Sequence, residues 1–259
     1  MSSPDAIRLD RPEDGIAVLT LRREQGPNVI DAAFCERLLR CCEALSEADS
    51  LHAVLLRAEG ATFCVGADIG EMQARLDDLP DHLATLIDAA HAAVLALSRL
   101  PVPVIACVQG VAAGGGLSLA LACDGVLASR SARFVVAYPQ LGTTADTGLT
   151  HSLAVRLGAH RALELYLMQD ALDAAHAQRL GLVSEVAEDG ALDAAGIAAA
   201  RRLVALPRAA VVGAKALFMT DASRALEDRL RLEKESFLRC AATQEFRSRV
   251  RAWRRRHAE

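Results

Sequence analysis

The chain has 259 residues, of which 52% are hydrophobic, 24% are charged and 3% are aromatic, and its formal net charge is −4. This length and composition allow one large domain with a sizeable core, and the charge excludes the basic surface typical of nucleic-acid-binding proteins. The N-terminal residues lack the basic and apolar regions of a signal peptide, and no uninterrupted apolar run is long enough to span a membrane. We therefore expect a soluble, cytoplasmic protein with neither a nucleic-acid nor a membrane partner.

Apolar runs in the first half of the chain predict five strands, at residues 16–22, 53–58, 103–108, 125–129 and 132–137. Helical periodicity separates them at about residues 32–48, 82–99 and 116–123. From about residue 150 onward the pattern is almost wholly helical, interrupted by Gly158, Gly181 and Pro207. This order predicts an α/β fold followed by a helical C-terminal region.

The cysteines give no sign of a metal site or of a disulfide framework. Their number, seven, is odd, and no CxxC pair with metal-ligand spacing occurs. Cys41 and Cys42 are adjacent within a helical pattern. We therefore interpret the cysteines as reduced and mostly as core residues, and we expect no bound metal.

Three consecutive glycines, Gly114, Gly115 and Gly116, lie between a predicted strand and a predicted helix. The first N–H groups of a helix have no intrahelical partner, and glycine lets a ligand approach the main chain closely. A second glycine, Gly66, follows the predicted strand at 53–58. Two loops at strand ends can therefore offer a backbone N–H each to one oxygen, although tight strand–helix packing explains the glycines equally well.

Residues 63–69 (FCVGADI), followed by 103–106 (PVIA) and 110–116 (GVAAGGG), resemble the crotonase (enoyl-CoA hydratase/isomerase) superfamily. The segment 28–31 (NVID) is similar to a turn of the same family, and the resemblance extends over nearly the whole chain. It implies a core of repeated ββα units wound into a spiral, at residues 1–198. It also implies a helical region at 199–259 that forms a homotrimer or a dimer of trimers and completes the coenzyme A site.

The resemblance implies chemistry on a coenzyme A thioester, whose oxygen is held by the backbone N–H groups of Ala67 and Gly115. Coenzyme A then enters as part of the acyl-CoA substrate, and no permanently bound cofactor is expected. Family hydratases carry two glutamates that manage a water molecule, and the matching positions here are Ser118 and Tyr138. Because neither residue is a carboxylate suited to proton transfer near neutral pH, we do not expect ordinary two-glutamate hydration.

Asp146 matches an acidic position found in some members of the family. A carboxylate there could move a proton between the α and γ carbons of the substrate, so we predict double-bond isomerisation in an enoyl-CoA. The alternative for Asp146 is a purely structural one, as the N-cap of a helix that begins near Leu149.

Two further alternatives follow from the same residues. His91, Gly115, Tyr138 and Asp146 together resemble the constellation of 4-chlorobenzoyl-CoA dehalogenase, which implies Asp146 as a nucleophile and His91 as the base that activates water. Ala67, where the dehalogenase has phenylalanine, and the low aromatic content argue against this alternative. The other alternative is a non-catalytic oligomer with the crotonase fold.

The resemblance also implies four residues that contact coenzyme A. Asp68 and Ile69 match a turn beside the adenine, while Phe237 and Arg256 match an aromatic and a basic position contributed by a neighbouring subunit. For Phe237, a place in the core of an amphipathic helix is an equal alternative. Arg256 keeps the charge of the more common lysine and adds a planar fork for phosphate.

Overall fold

The computed structural model of the chain describes residues 6–169 and 171–256, with side chains as far as residue 253. The described strands are β1 (Ile7–Glu13), β2 (Ile16–Leu21), β3 (Ala53–Ala58), β4 (Val104–Val108), β5 (Val111–Ala113), β6 (Gly125–Ser129), β7 (Arg133–Val135), β8 (Ala171–Asp173) and β9 (Glu185–Ala187). The described helices are α1 (Ala32–Ser46), α2 (Ile69–Ala74), α3 (Leu79–Ser98), α4 (Gly115–Leu121), α5 (Tyr138–Leu141), α6 (Leu149–Leu157), α7 (Ala159–Met168), α8 (Ala174–Arg179), α9 (Leu192–Val204), α10 (Arg208–Ala241) and α11 (Gln244–Arg256).

Two sheets organise the N-terminal part of the chain. Six strands form the larger sheet, in the order β1-β2-β3-β4-β6-β9, and all its neighbouring pairs are parallel except β1 with β2. The smaller sheet has the order β5-β7-β8, and β5 pairs with β7 in parallel. Since strands that are parallel neighbours end at the same edge, the loops that follow β3 and β4 are brought together.

The large sheet is buried on both faces, which explains its continuous apolar strands. One face of the sheet belongs to the main core, which also includes buried residues of α1, α3 and α4. The other face packs against α9, where Gly196 lies close enough to Cys107 that a Cβ atom would lie 2.7 Å from its sulfur. The helices after β9 complete the core through Phe237, Phe246 and Val250.

The α/β prediction and the helical C-terminal region are confirmed, and all five predicted strands are present. The helices predicted at 32–48, 82–99 and 116–123 appear with ends shifted by a few residues. The expectation of an almost wholly helical chain after residue 150 was wrong in part, because β8 and β9 lie there. β8 and β9, like the unpredicted β5, have only three residues each, too few to show a period. β1 was missed because it is an edge strand with polar, partly exposed residues.

Among the C-terminal helices, α9 contains the predicted boundary between residues 198 and 199. Among the described helices, none alone is long and apolar enough to cross a membrane; α9 and α10 meet that criterion only together, and they are bent by 103°.

Candidate active site

The loop after β3, which contains Gly66, meets the turn between β5 and α4, which contains Gly115 and Gly116. A Cβ atom on Gly66 would lie 2.9 Å from the backbone nitrogen of Gly115, and one on Gly116 would overlap the carbonyl oxygen of Cys64. Gly66 also has a φ of +85°, a conformation that residues with a side chain rarely adopt. Glycine is therefore required here for close contact between the loops, and this contact brings the residue after Gly66 next to Gly115.

Backbone hydrogen bonds fix both loops. Ala113 N donates to Cys64 O at 2.9 Å, and Ile30 N donates to Gly66 O at 2.8 Å. The side-chain amide of Asn28 donates to the carbonyl of Phe63 at 3.1 Å. The loop that carries Ala67 is therefore held on one side by the turn at 28–31 and on the other side by β5.

The backbone N–H groups of Ala67 and Gly115 remain available for a ligand. Within residues 6–169 and 171–256, neither group donates to a backbone carbonyl outside the regular helices and strands. Gly115 is the first residue of α4, so its N–H has no partner within the helix and lies at the positive end of the helix dipole. Such a pair of fixed donors suits an oxygen that becomes negatively charged during a reaction.

Both loops face a cavity of about 420 Å³. Its wall is largely apolar, and α3 provides Leu83, Leu86, Ile87 and Ala90. The predicted site residues that line this cavity are Ala67, Asp68, Ile69, Gly115, Tyr138, Asp146 and Phe237. A long apolar cleft with few polar groups at one place is the usual form of a small-molecule site.

The structure brings His91 and Asp146 into direct contact. His91 Nε2 lies 2.6 Å from Asp146 Oδ1, and both side chains are buried. A carboxylate only accepts hydrogen bonds, so when Asp146 is ionised Nε2 is the donor in this pair. His91 does not itself line the cavity, whereas Asp146 does. The imidazole therefore orients the carboxylate without itself facing the cavity.

The second carboxylate oxygen of Asp146 accepts a longer hydrogen bond from the hydroxyl of Thr147, at 3.4 Å. Neither oxygen caps α6. The N-cap of this helix is Gly148, which has no side chain that could accept a hydrogen bond. Glu233 of α10 takes that role: Oε2 accepts from Gly148 N at 2.7 Å and Oε1 from Thr150 N at 2.8 Å. The geometry therefore does not match the helix-cap alternative for Asp146.

Ser118 and Tyr138, at the two positions where hydratases carry glutamate, contact the main chain of Asp146. The Tyr138 hydroxyl donates to the Asp146 carbonyl at 3.1 Å, and Ser118 Oγ lies 3.0 Å from the same oxygen and 3.1 Å from the Tyr138 oxygen. Burial raises the pKa of Tyr138 well above its ordinary value, an effect that Asp146 reinforces and Ser118 opposes. Tyr138 therefore stays protonated and acts as a hydrogen-bond donor to the loop.

The loop that carries Asp146 has an unusual backbone. Among the described residues, the only non-glycine residues with positive φ are Ala137 and Thr147, each at +61°. Both line the cavity, and Thr147 is β-branched, for which this conformation is especially unfavourable. Strain of this kind persists only where the surroundings fix the backbone, and it is concentrated at functional sites.

The predicted coenzyme A residues lie at different parts of the cavity. Asp68 caps α2 by accepting from Glu71 N at 3.1 Å, and Ile69 begins that helix. Phe237 is buried and makes an edge-to-face contact with Phe246, with ring centroids 6.1 Å apart. It lines the cavity of its own chain, whereas the resemblance implied that a neighbouring subunit contributes it. The side chain of Arg256 lies outside the described residues.

Sequence reasoning missed Glu233. Buried positions of α10 recur at Leu226, Leu230, Glu233, Phe237 and Ala241, with the spacing of one helix face. A glutamate inside an otherwise apolar stripe is the signal that could have identified it, since a buried charge requires partners. No group of three or more His, Cys, Asp or Glu side chains that could hold a metal occurs within the described part of the chain.

Comparison with known proteins gives concordant results. The family model described as enoyl-CoA hydratase/isomerase matches residues 11–258. The chain is 32% identical to 1,2-epoxyphenylacetyl-CoA isomerase of Escherichia coli, over 88% of this chain and 87% of that protein. It is also 32% identical to trans-2-decenoyl-[acyl-carrier-protein] isomerase of Streptococcus mutans, over 70% of this chain and 69% of that protein.

Among solved structures, an enoyl-CoA hydratase/isomerase from Mycobacterium paratuberculosis superimposes with a TM-score of 0.87 at 27% identity, covering 96% of this chain and 99% of that one. The predicted crotonase fold is therefore confirmed. The relatives are named as enzymes, which sets aside the non-catalytic alternative. The chain belongs to the enoyl-CoA hydratase/isomerase family.

Proposed function

We propose that this enzyme shifts the double bond of an enoyl-CoA from the 3 to the 2 position, with Asp146 as the acid/base. The observation that carries the proposal is the position of Asp146, on the wall of the cavity that also exposes Ala67 and Gly115. One carboxylate and one pair of oxyanion donors are sufficient for this reaction.

The proposed reaction uses the Asp146 carboxylate and the two backbone N–H groups. The Asp146 carboxylate takes a proton from C2 of a 3-enoyl-CoA, and the electron pair moves into the thioester carbonyl to give a dienolate. The N–H groups of Ala67 and Gly115 stabilise the resulting oxyanion. The Asp146 carboxylic acid then returns the proton at C4, the oxyanion electrons re-form the carbonyl, and the double bond lies between C2 and C3.

The remaining contacts support isomerisation over hydration. Addition of water needs groups that hold and deprotonate it, but Ser118 and Tyr138 are occupied with the Asp146 carbonyl. Among the similar relatives, two are named as isomerases and one as a probable enoyl-CoA hydratase, so the choice rests on the contacts of Ser118 and Tyr138. The apolar lining suits an aliphatic acyl chain, and we propose that Asp68, Ile69, Phe237 and Arg256 contribute to the site for the coenzyme A part.

The test is to incubate the enzyme with a 3-enoyl-CoA and to analyse the product by mass spectrometry and ultraviolet absorbance. Isomerisation leaves the mass unchanged and creates the absorbance of a conjugated thioester. Hydration of the resulting 2-enoyl-CoA would add the mass of one water and remove that absorbance. The proposal fails if the enzyme hydrates 2-enoyl-CoA at a high rate but does not convert the 3-enoyl isomer.

The contact of His91 with Asp146 favours a second candidate, hydrolytic dehalogenation of an aryl-CoA. In that reaction Asp146 attacks the ring carbon, the halide leaves, and water activated by His91 hydrolyses the aryl ester. His91 lies behind the carboxylate and does not line the cavity. This position is less favourable for activating a water molecule inside the cavity. Incubation with 4-chlorobenzoyl-CoA distinguishes the two, since only this candidate releases chloride and, in ¹⁸O-labelled water, places ¹⁸O in Asp146.

We also propose that the enzyme is a homotrimer or a dimer of trimers, and that residues 199–259 contribute to that assembly. Large apolar side chains are exposed on three helices that pack together, namely α6, α7 and α10. On α10, Leu217 is 86% and Phe218 84% exposed. Large exposed apolar side chains on packed helices support a protein–protein contact there. The cytoplasmic location stays a prediction.

A further inference from the structure

Glu233 is a buried carboxylate that the proposed reaction does not use. It is 4% exposed, and its two oxygens accept three hydrogen bonds, from Gly148 N, Thr150 N and the Thr150 hydroxyl. Its partners lie 83 to 85 residues earlier in the chain, at the first turn of α6. Glu233 therefore caps a helix to which it does not belong.

This cap occupies a backbone N–H that would otherwise be available to the Asp146 carboxylate. An aspartate readily accepts a hydrogen bond from the backbone N–H two residues further on, and for Asp146 that residue is Gly148. Glu233 already occupies the Gly148 N–H. The local partner of the Asp146 carboxylate is thereby taken, and the carboxylate contacts His91 instead.

The cap also holds a strained turn. Thr147 has a φ of +61° and Gly148 a φ of +84°, directly between Asp146 and α6. Glu233 fixes the end of this turn, while Tyr138 and Ser118 fix its beginning through the Asp146 carbonyl. Without one of these clamps, we expect the turn to relax and the carboxylate to move away from the cavity.

We propose that Glu233 is a positioning residue, which caps α6 in place of Asp146 and so keeps the Asp146 carboxylate against His91 and at the cavity wall. The proposal rests on the proposed function only for its effect on the rate. The effect on the position of the carboxylate is independent of which reaction the enzyme catalyses.

The position of the carboxylate has a spectroscopic signature. An imidazole N–H that donates to a carboxylate over 2.6 Å gives a far-downfield proton resonance, and the His91→Gln variant assigns that resonance among the histidines. In Glu233→Gln one acceptor becomes an amide NH₂ group that faces a backbone donor. We expect the His91 resonance to be lost in this variant while the protein remains folded.

The rate gives the second readout. Displacing a reacting group by about 1 Å can cost roughly 100-fold, and we expect kcat with a 3-enoyl-CoA to fall by about this factor in Glu233→Gln. The affinity for the acyl-CoA should not change, because Glu233 does not line the cavity. Glu235→Gln is the matched control, since it makes the same chemical change at an exposed position of the same helix. It should leave both readouts at the wild-type values.

The His91 resonance tests the positioning role of Glu233, and the rate tests Asp146 as the acid/base. A folded Glu233→Gln protein that keeps the His91 resonance overturns the positioning role, whatever its rate. Loss of the resonance without loss of rate supports the positioning role but contradicts Asp146 as the acid/base. If Glu233→Gln does not fold, Glu233→Asp is measured in its place; its carboxylate is one methylene shorter and cannot reach both Gly148 and Thr150, so the same two readouts decide.

Discussion

His91 Nε2 lies 2.6 Å from Asp146 Oδ1, although the two residues are separated by 55 positions in the chain. His91 is on α3, which contributes much of the apolar cavity wall, and Asp146 is on the strained loop before α6. Asp146 lines the same cavity as Ala67 and Gly115. The proposed chemistry depends on this arrangement of one base and two donors.

Replacing Asp146 with asparagine should remove turnover and retain binding. The change removes the acid/base but keeps the shape of the side chain, so kcat with a 3-enoyl-CoA should fall by about 10²- to 10⁴-fold. The Kd of the acyl-CoA, measured by calorimetry, should stay close to that of the wild type. Asp221→Asn, at an exposed position of α10, is the control and should change neither value. A fully active Asp146→Asn enzyme would remove the basis for the acid/base assignment.

Replacing His91 with glutamine should distinguish the two candidate reactions. The glutamine amide can still donate to the Asp146 carboxylate, so an isomerase should keep its rate within about tenfold. A nucleophilic mechanism that needs His91 to activate water should instead lose about 10²- to 10⁴-fold and accumulate an ester on Asp146. Mass spectrometry of the intact protein after incubation with 4-chlorobenzoyl-CoA detects that ester. Accumulation of this ester would favour dehalogenation over isomerisation as the reaction of the enzyme.

The sequence was sufficient to predict the loops of the site but not the contacts that hold them. Gly66 follows a predicted strand, and the sequence pointed to both glycine loops. Gly115, however, follows β5, a three-residue strand of the small sheet that was not predicted, and the two loops meet because β5 pairs with residues 63–64. The contact of Asp146 with His91 depends on how α3 packs beside the loop, which periodicity does not report. Glu233 was missed for the same reason, because its partners are set by the path of α10 and not by neighbouring residues.

The roles of Ser118 and Tyr138 show a related limit. Their identity shows that the two glutamates which handle water in family hydratases are missing here. Their hydroxyl groups instead contact the carbonyl of Asp146. This contact depends on how three separate segments of the chain pack together, which the sequence does not give.

Short strands such as β8 and β9 were missed because three residues are too few for a period of two.

The N–H of Gly115 can be tested by comparing two substitutions at the same position. Gly115→Pro deletes the donor at the first position of α4, where proline is otherwise well accommodated, and should lower kcat by roughly 10²- to 10³-fold. Gly115→Ala keeps the donor, and its Cβ would lie 3.0 Å from Ile30 Cδ1, the end of a side chain that can move. The alanine variant should therefore retain most of the activity. Equal rates for the two variants would count against an oxyanion hole at this residue.

The buried thiols predict a loss of stability at alkaline pH. Burial raises the pKa of Cys35, Cys42, Cys64 and Cys107 from 9.0 to about 12. Above pH 9 the unfolded chain releases these protons while the folded protein keeps them, so the unfolded state is favoured as the pH rises toward 12. Each thiol should lower the free energy of unfolding by about 1.4 kcal/mol per pH unit in this range.

Urea unfolding at several pH values between about 8 and 9.5, with a reductant present, measures this slope below pH 10.0, the ordinary pKa of a tyrosine in the unfolded chain. Cys42→Ala is the informative variant, since it removes one of the buried thiols whose pKa is raised. Its stability should decline less steeply with pH than that of the wild type, by the share of one thiol. Parallel slopes for the two proteins would show that the buried thiols are not the cause of the alkaline destabilisation.

The exposed apolar face of α10 predicts the oligomeric state. Phe218→Asp places a charge on a surface that is buried in the proposed trimer, and an unpaired buried charge is costly, so the variant should dissociate. Light scattering after size-exclusion chromatography should give the trimer or hexamer mass for the wild type and the monomer mass for this variant. Phe218→Leu keeps the surface apolar and should retain the assembly. Because Phe218 is 84% exposed in one chain, neither change should affect the fold of the monomer. A wild-type protein that is already monomeric at micromolar concentration would contradict the proposed assembly.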